Sequence, residues 1–360
     1  MKRAINKILS FFKQFIIKKA FIFQKRLLLR EKMNKKFFLI QFFLLLLIGF
    51  AFSDYLPGTI QNPYKIIDCD DLQNMKNDLN AVYALQNDIT CYNPITQEMF
   101  DFKSIGGNGG EEFSGRLNGN GFTIRGLRPL PVKKDDSYLG LFGEIKNAQV
   151  TNLRIVLDSR DINNDSFYND QIVFGGLAGK AINSDINGVI VEGEWGYEGI
   201  VSIDGEYVDE NYTYFHMAGG LIGIAENTYI SGCVNRVNFK GNYSWLGGIV
   251  GRAENTIIYN SKNKADIQPY YNTYSNGEHV EMSNANIGGI ASEIFSSRIV
   301  DCINDGGRIE LPDGQLIQKG KLKGNFVGGI VYSAGMDNGE SQIINCSNFA
   351  DINAVNDCGG

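Results

Sequence analysis

From residue 139 onward the chain repeats one pattern of apolar and polar positions at uneven intervals. The segments LGLFGEI (139–145), GGLAGKA (175–181), GGLIGIA (219–225), GGIVGRA (247–253), GGIASEI (288–294) and GGIVYSA (328–334) set a glycine corner before an apolar run. Thirteen residues after the second glycine stands a small or apolar residue: Leu153, Val189, Cys233, Ser261 and Cys302. The last unit reaches Cys346 with four extra residues. Two positions beyond, the later units carry Asn235, Asn263, Asn304 and Asn348. Short alternating stretches such as Thr256-Ile257-Ile258-Tyr259 predict strands between these marks.

One unit cannot bury its apolar face alone, but stacked units share a continuous core and pair their backbones. Equivalent positions then lie above one another, so small Cys or Ser fits a tight inner corner and asparagines bond along the axis. The pattern predicts an all-β fold, a right-handed parallel β-helix, over 131–360. A β-sandwich of the same strands would not require position-matched Asn and Cys. On this reading the glycines permit a bend or a positive φ. Ile257 and Ser261 face the core, and the stacked cysteines are buried, reduced and inert. Cys358 falls in register with Leu246, Ile287 and Val327.

Residues 54–130 predict a small N-terminal α+β capping segment. PYKIIDCDDLQNMKNDLNAVYALQNDI reads as a strand, a helix from about Asp70 to Leu79 capped by Asp70 or Asp71, and a second strand. Strands with a tight glycine-asparagine turn at 118–121 follow.

Charge divides the chain. Residues 1–53 carry twelve Lys or Arg and one acid, and the remainder carries 22 basic and 39 acidic residues, a net −17. A body this acidic excludes nucleic acid as its partner. Met33-Asn34-Lys35-Lys36, the apolar run at 37–52 and Ala51-Phe52-Ser53 form a secretory signal over 33–53, cleaved before Asp54. The run is short for a membrane span, so the alternative is an uncleaved N-terminal anchor. Residues 1–32 form a basic upstream extension, or Met33 is the true start. Secretion permits disulfides, which makes Cys69 and Cys91 a candidate pair. The chain ends at Asn356-Asp357-Cys358-Gly359-Gly360, where a further unit should begin, so downstream sequence is expected.

The series LQNDI, KSIG, FSGRLNGNGFTIRGL, YLGLFGEI and NAQVTNLRI resembles the entry of bacterial-type surface proteins with GLUG repeats. Their usual Asp-Gly-Asn-Gly turn here opens with Asn118. The GG[IL]xG and I-x-x-C-x-N units resemble GLUG repeats themselves, and the likeness covers about residues 62–360. Such repeats occur in adhesin-like surface proteins and as a non-catalytic portion of zinc metalloproteases that cleave immunoglobulin A. The resemblance implies a secreted or cell-surface protein that binds glycans or surface proteins.

Catalytic signatures are sparse. FGGLAGKA fails as a phosphate loop, because Phe174 and Ala181 replace the required glycine and hydroxyl. The two histidines, His216 and His279, form no H-E-x-x-H zinc motif, and no C-x-x-C pair exists. No metal or cofactor is expected. Asp266, Asp301, Asp351 and Glu254 are carboxylates without a distinctive cluster, which leaves a polysaccharide hydrolase or lyase as the alternative. A structural spacer within a larger surface protein is the third reading. The insertions at 194–218 and 268–287 concentrate Trp195, Tyr197, Tyr212, Tyr214, Tyr270, Tyr271 and Tyr274, candidate ligand contacts. Asn164, Asn211, Asn242 and Asn345 sit in glycosylation sequons, and Asn345 is expected to be hidden beside an inward cysteine.

Overall fold

The computed structural model describes residues 56–93, 95, 96, 98, 100, 102–129, 138–158, 172–196, 217–241, 245–265, 267–269, 286–305, 309–310, 326–335, 339–350, 352–353 and 357–359. Two units divide at Asn62/Pro63. In the first, residues 56–62 form a turn in which Gly58 N donates to Asn62 O at 2.8 Å. The extension at 1–32 and the signal at 33–53 lie outside the described residues. Among those described, no helix is long and apolar enough to cross a membrane.

The second unit is a parallel β-helix. A representative coil has four strands, Val173–Gly175, Ala178–Ile182, Asp185–Asn187 and Ile190–Gly196. Each pairs in parallel with its equivalent in the coils before and after, so Ile186 stands between Val150 and Ile230. The first, second, third and fourth strands of successive coils thus build four sheets, of 7, 6, 9 and 11 strands. Cys358 pairs with Val327, Val327 with Ile287 and Ile287 with Leu246, the register expected from the sequence.

The N-terminal segment continues these sheets. Tyr64–Ile66, Val82–Leu85 and Arg116–Asn118 extend the third sheet, while Ile89–Thr90 and Thr123–Leu127 extend the fourth. The turn expected at 118–121 is a coil corner: Asn120 and Gly121 have φ of 52° and 79°, and Asn118 Oδ1 accepts from Asn120 N. The helix is shorter than expected. Helix α1 spans Cys69–Gln73 and passes into a 3-10 turn at Asn74–Asn77. Asp68, not Asp70 or Asp71, caps it, because Asp68 is extended and its Oδ1 accepts from Asp71 N at 2.8 Å. Leu72 and Met75 are buried in the core that runs through the coils. Cys69 and Cys91 are joined by a disulfide across a separation of 22 residues.

Inside, one row is apolar throughout. Val150, Ile186, Ile230, Ile258 and Ile299 form one buried row of the third sheet, each burial contributing roughly 1.5–3 kcal/mol. Ile257 points outward, contrary to the sequence reading, because Thr256 occupies the inner position. Its hydroxyl donates to Glu254 O at 2.9 Å, so alternation runs Thr256 in, Ile257 out, Ile258 in. Thr256 belongs to a hydroxyl ladder that the sequence reading missed. Thr228 N donates to Thr256 Oγ1 at 3.2 Å, and Thr256 N to Ser297 Oγ at 3.0 Å. Just before each hydroxyl the chain turns through a left-handed residue: Asn183, Asn227, Asn255 and Ser296, all at φ 48°.

The glycine pairs serve close approach rather than unusual dihedrals, since none has a positive φ. A Cβ on Gly247 would lie 1.9 Å from Val250 O, and one on Gly248 would lie 2.5 Å from Asn263 Cγ. The second glycine therefore faces the asparagine ladder across the lumen. Asn235 Nδ2 donates to Asn263 Oδ1 at 2.8 Å, Asn263 to Asn304 at 2.9 Å and Asn304 to Asn348 at 2.7 Å. Asn235, Asn263 and Asn304 are fully buried, so water cannot replace these bonds. In the preceding coil Val191 holds this row, and Gly176 meets its Cγ1 instead.

Gly247→Ala should cost more than about 4 kcal/mol in chemical denaturation or abolish folding, whereas Gly121→Ala, where a Cβ meets nothing and only φ is strained, should cost about 1–3 kcal/mol. Asn263→Ala should cost about 2–4 kcal/mol, because it orphans amide groups on Asn235 and Asn304. A loss under about 1 kcal/mol would mean that these bonds do not hold the ladder.

Candidate functional site

Most residues of the expected aromatic site, Tyr197, Tyr212, Tyr214, Tyr270, Tyr271 and Tyr274, lie outside the described residues. So do Asn164, Asn211, Asn242, His216, His279, Asp266 and Asp351. Trp195 lies on a fourth strand whose backbone pairs it with Phe239. Asn345 is exposed, contrary to the reading that its neighbour would hide it. Its left-handed turn, φ 51°, projects its side chain outward, where Nδ2 donates to Asp301 Oδ1 at 2.6 Å. Asp301 sits at the corner between third and fourth strands, and Glu254 ends a second strand, so a third strand separates these two carboxylates.

The cysteines of the inner row offer no reactive thiolate. Cys233 N donates to Ser261 Oγ at 3.2 Å, and Cys302 N to Cys346 Sγ at 3.4 Å. Burial pushes the Cys233 and Cys302 thiols up to about 12, so both stay protonated at neutral pH and are poor nucleophiles. Among the described residues no group of three His, Cys, Asp or Glu could hold a metal ion.

The surface offers more. The outer face of the third sheet presents Tyr229 (41% exposed), Ile257 (37%), Tyr259 (40%) and Ile344 (40%), with Val300 half-buried. Alternation sets their direction, because each follows or precedes an inner residue of the buried isoleucine row. Register joins them, with Tyr229 beside Ile257 and Tyr259 beside Val300, and Val300 beside Ile344. Polar groups flank this strip. Gln149 Nε2 donates to Asp185 Oδ2 at 3.4 Å, Asn187 Nδ2 donates to Ser231 Oγ at 2.6 Å, and Arg298 is exposed. The sequence reading missed this face because it placed Ile257 inside.

The second and fourth sheets carry charge instead. On the second, Lys180 Nζ lies 2.8 Å from Glu226 Oε1 and opposite Glu144 in register. Burial raises the Glu144 carboxyl, against weaker opposing effects of the Asn108 backbone N–H and the nearby lysines. Glu112 moves the other way, lowered by a backbone N–H and by Lys146, whose Nζ is 3.3 Å from Oε1. On the fourth sheet Glu192 joins three coils, accepting from Arg154 Nε at 2.9 Å and from Arg236 on the next coil.

No protein-family model matches the chain. Over 106 residues it is 36% identical to a "Putative Gly-rich membrane protein" of Evansella cellulosilytica, a stretch covering 28% of this chain and 12% of that protein. Among solved structures it is similar to an IgA1 protease, with TM-score 0.46 and 15% identity over 82% of this chain and 20% of the other. It is also similar to a protein described as a putative immunoglobulin A1 protease from Bacteroides ovatus, with TM-score 0.45 and 17% identity over 84% of each chain. The chain thus spans a small part of the first two proteins. The β-helix assignment rests on its own ladders.

The arginine–glutamate ladder has a measurable pH signature. Burial alone would raise the Glu192 carboxyl, but Arg154 and Arg236 outweigh it and hold it below the usual value of 4.5. A folded pKa below the unfolded one stabilises above the unfolded value and is lost as pH falls through the folded one. Stability should therefore drop below about pH 4.5, and Glu192→Gln should flatten that part of the profile. At neutral pH the variant should lose only about 1 kcal/mol, since both arginines are well exposed. Thermal denaturation of both proteins across acid pH reads the difference.

Proposed function

We propose that the chain is a secreted or cell-surface β-helical binding protein, adhesin-like and without catalysis of its own. The observation that carries this reading is the exposed strip of Tyr229, Ile257, Tyr259 and Ile344 on the outer face of the third sheet. Exposed aromatic and branched side chains on a rigid frame favour contact with a partner, because little order is lost on binding. The leader-like segment at 33–53 and the resemblance to GLUG-repeat surface proteins support a location outside the cell. Glycans or surface proteins are the partners this reading names.

A second reading, a polysaccharide hydrolase, draws on Glu112 and Glu144. The bridge between Phe113 and Ile145 brings their backbones together, and their environments push the two carboxyls in opposite directions. The two readings differ in turnover. Residues 54–360 should bind bacterial or host cell surfaces saturably and release no reducing ends from a polysaccharide panel. Turnover that disappears in Glu144→Gln would overturn the binding reading in favour of the enzyme. Absence of both binding and turnover would leave the structural spacer.

A further inference from the structure

The third-sheet face also indicates what kind of partner it fits. We propose that it holds an uncharged glycan chain, with Tyr229 and Tyr259 stacking on sugar rings; this rests on the binding reading above.

Four observations lead there. Ser231 pairs in register with Tyr259, so the two tyrosines stand one coil apart and two residues apart along the strands. With a coil spacing near 4.8 Å and a strand rise near 3.3 Å, their Cα atoms lie about 8 Å apart. One short oligosaccharide can meet both rings. Secondly, hydrogen-bonding groups border the rings where sugar hydroxyls would fall: the Gln149–Asp185 pair on one side and exposed Arg298 on the other. Thirdly, the backbone groups of this face are consumed within the ladders. Ile257 N donates to Thr228 O and Arg298 N to Thr256 O, and the strands that carry Tyr229 and Tyr259 are paired on both sides, so at the two rings no free edge exists for an added peptide strand. Among the described residues the strip is also a sheet surface whose strands are three residues long, shorter than the face an amphipathic helix needs.

Charge supplies the fourth argument. Residues 54–360 hold 39 acids against 22 basic residues, and at the strip itself Asp185 offsets Arg298, so the described border holds no excess cation for a polyanion. A field of that sign repels sulfated and uronic polymers and leaves uncharged chains unopposed. Aliphatic Ile257 between the tyrosines supports the apolar face of a pyranose ring rather than a charged group.

The test titrates residues 54–360 with cello-oligosaccharides, N-acetylated chito-oligosaccharides and manno-oligosaccharides, and with chondroitin sulfate and polygalacturonate as charged controls. Calorimetry reads affinity, and circular dichroism checks that each variant keeps its β-helix. At least one uncharged series should bind, with affinity rising with chain length. Tyr229→Ala and Tyr259→Ala should each weaken it about three- to tenfold, and Tyr229→Phe, which keeps the ring, should change it less than about twofold. Preference for the charged polymers, or unchanged affinity in the folded Y229A/Y259A variant, would overturn the assignment. Cell-surface binding that persists while every sugar fails would overturn the glycan and leave the binding reading standing. Failure on both cells and sugars would remove the two together.

Discussion

The distance between a glycine corner and the residue facing it across the lumen governs this fold. Gly220, Gly248, Gly289 and Gly329 each lie so close to the asparagine row that a methyl group would overlap it. That contact fixes how closely the corner approaches the fourth strand in these four coils, and in the coil before them Gly176 meets Val191. The first glycine of each pair has a separate constraint, since Gly219, Gly247, Gly288 and Gly328 face a backbone carbonyl on the following strand. Together the pairs make a corner too tight for any side chain. The doubled glycine and the distant asparagine are therefore one motif, although 15 residues separate Gly248 from Asn263.

A fully buried amide is costly unless every donor and acceptor is used. Here the solution is periodic. Nδ2 of Asn235, Asn263 and Asn304 each reaches the next coil's Oδ1, Asn348 Nδ2 donates to Ala350 O, and Asn235 Oδ1, at the start of the row, accepts from Val237 N. The hydroxyl row works in the same way at another corner, where Thr228 and Thr256 take backbone N–H groups from the coil before. Polar rows of this kind fix the register of one coil on the next. A slip of one residue would set Asn235 against Lys262 or Lys264 and Asn304 against Ser347 or Phe349, breaking every amide–amide bond, whereas purely apolar rows would tolerate such a slip more easily.

Much of this architecture was legible in the sequence because stacking converts spatial neighbours into positional matches. The GG corners, the Cys/Ser row and the asparagine row were all visible that way. The hydroxyl row was less so: Ser184, Thr228, Thr256 and Ser297 do recur eight residues after the second glycine, but Ser and Thr are common in loops and drew no attention. The preceding Asn183, Asn227 and Asn255 carried the missing signal, a left-handed corner that resets the alternation and turns Ile257 outward. The helix was overestimated because Asn74 to Asn77 tighten into a 3-10 turn, a choice that propensity does not resolve. Of the candidate site, the tyrosines in the insertions drew the eye by density. Tyr229 and Tyr259 were ordinary strand residues until the coils placed them on one face, diagonally across adjacent strands.

Partners in the inner rows are separated by very different lengths of chain. Asn235 and Asn263 are 28 residues apart, Asn263 and Asn304 are 41, and Asn304 and Asn348 are 44, yet all three bonds have nearly the same length. The pitch of the solenoid is thus independent of how much chain is spent between coils. Sequence is gained after the fourth strand and, in the last coil, also between the second and third strands, without disturbing the asparagine ladder. Such a frame can vary what it displays while holding constant what supports it, so surface loops and stacked interior are free to change at different rates.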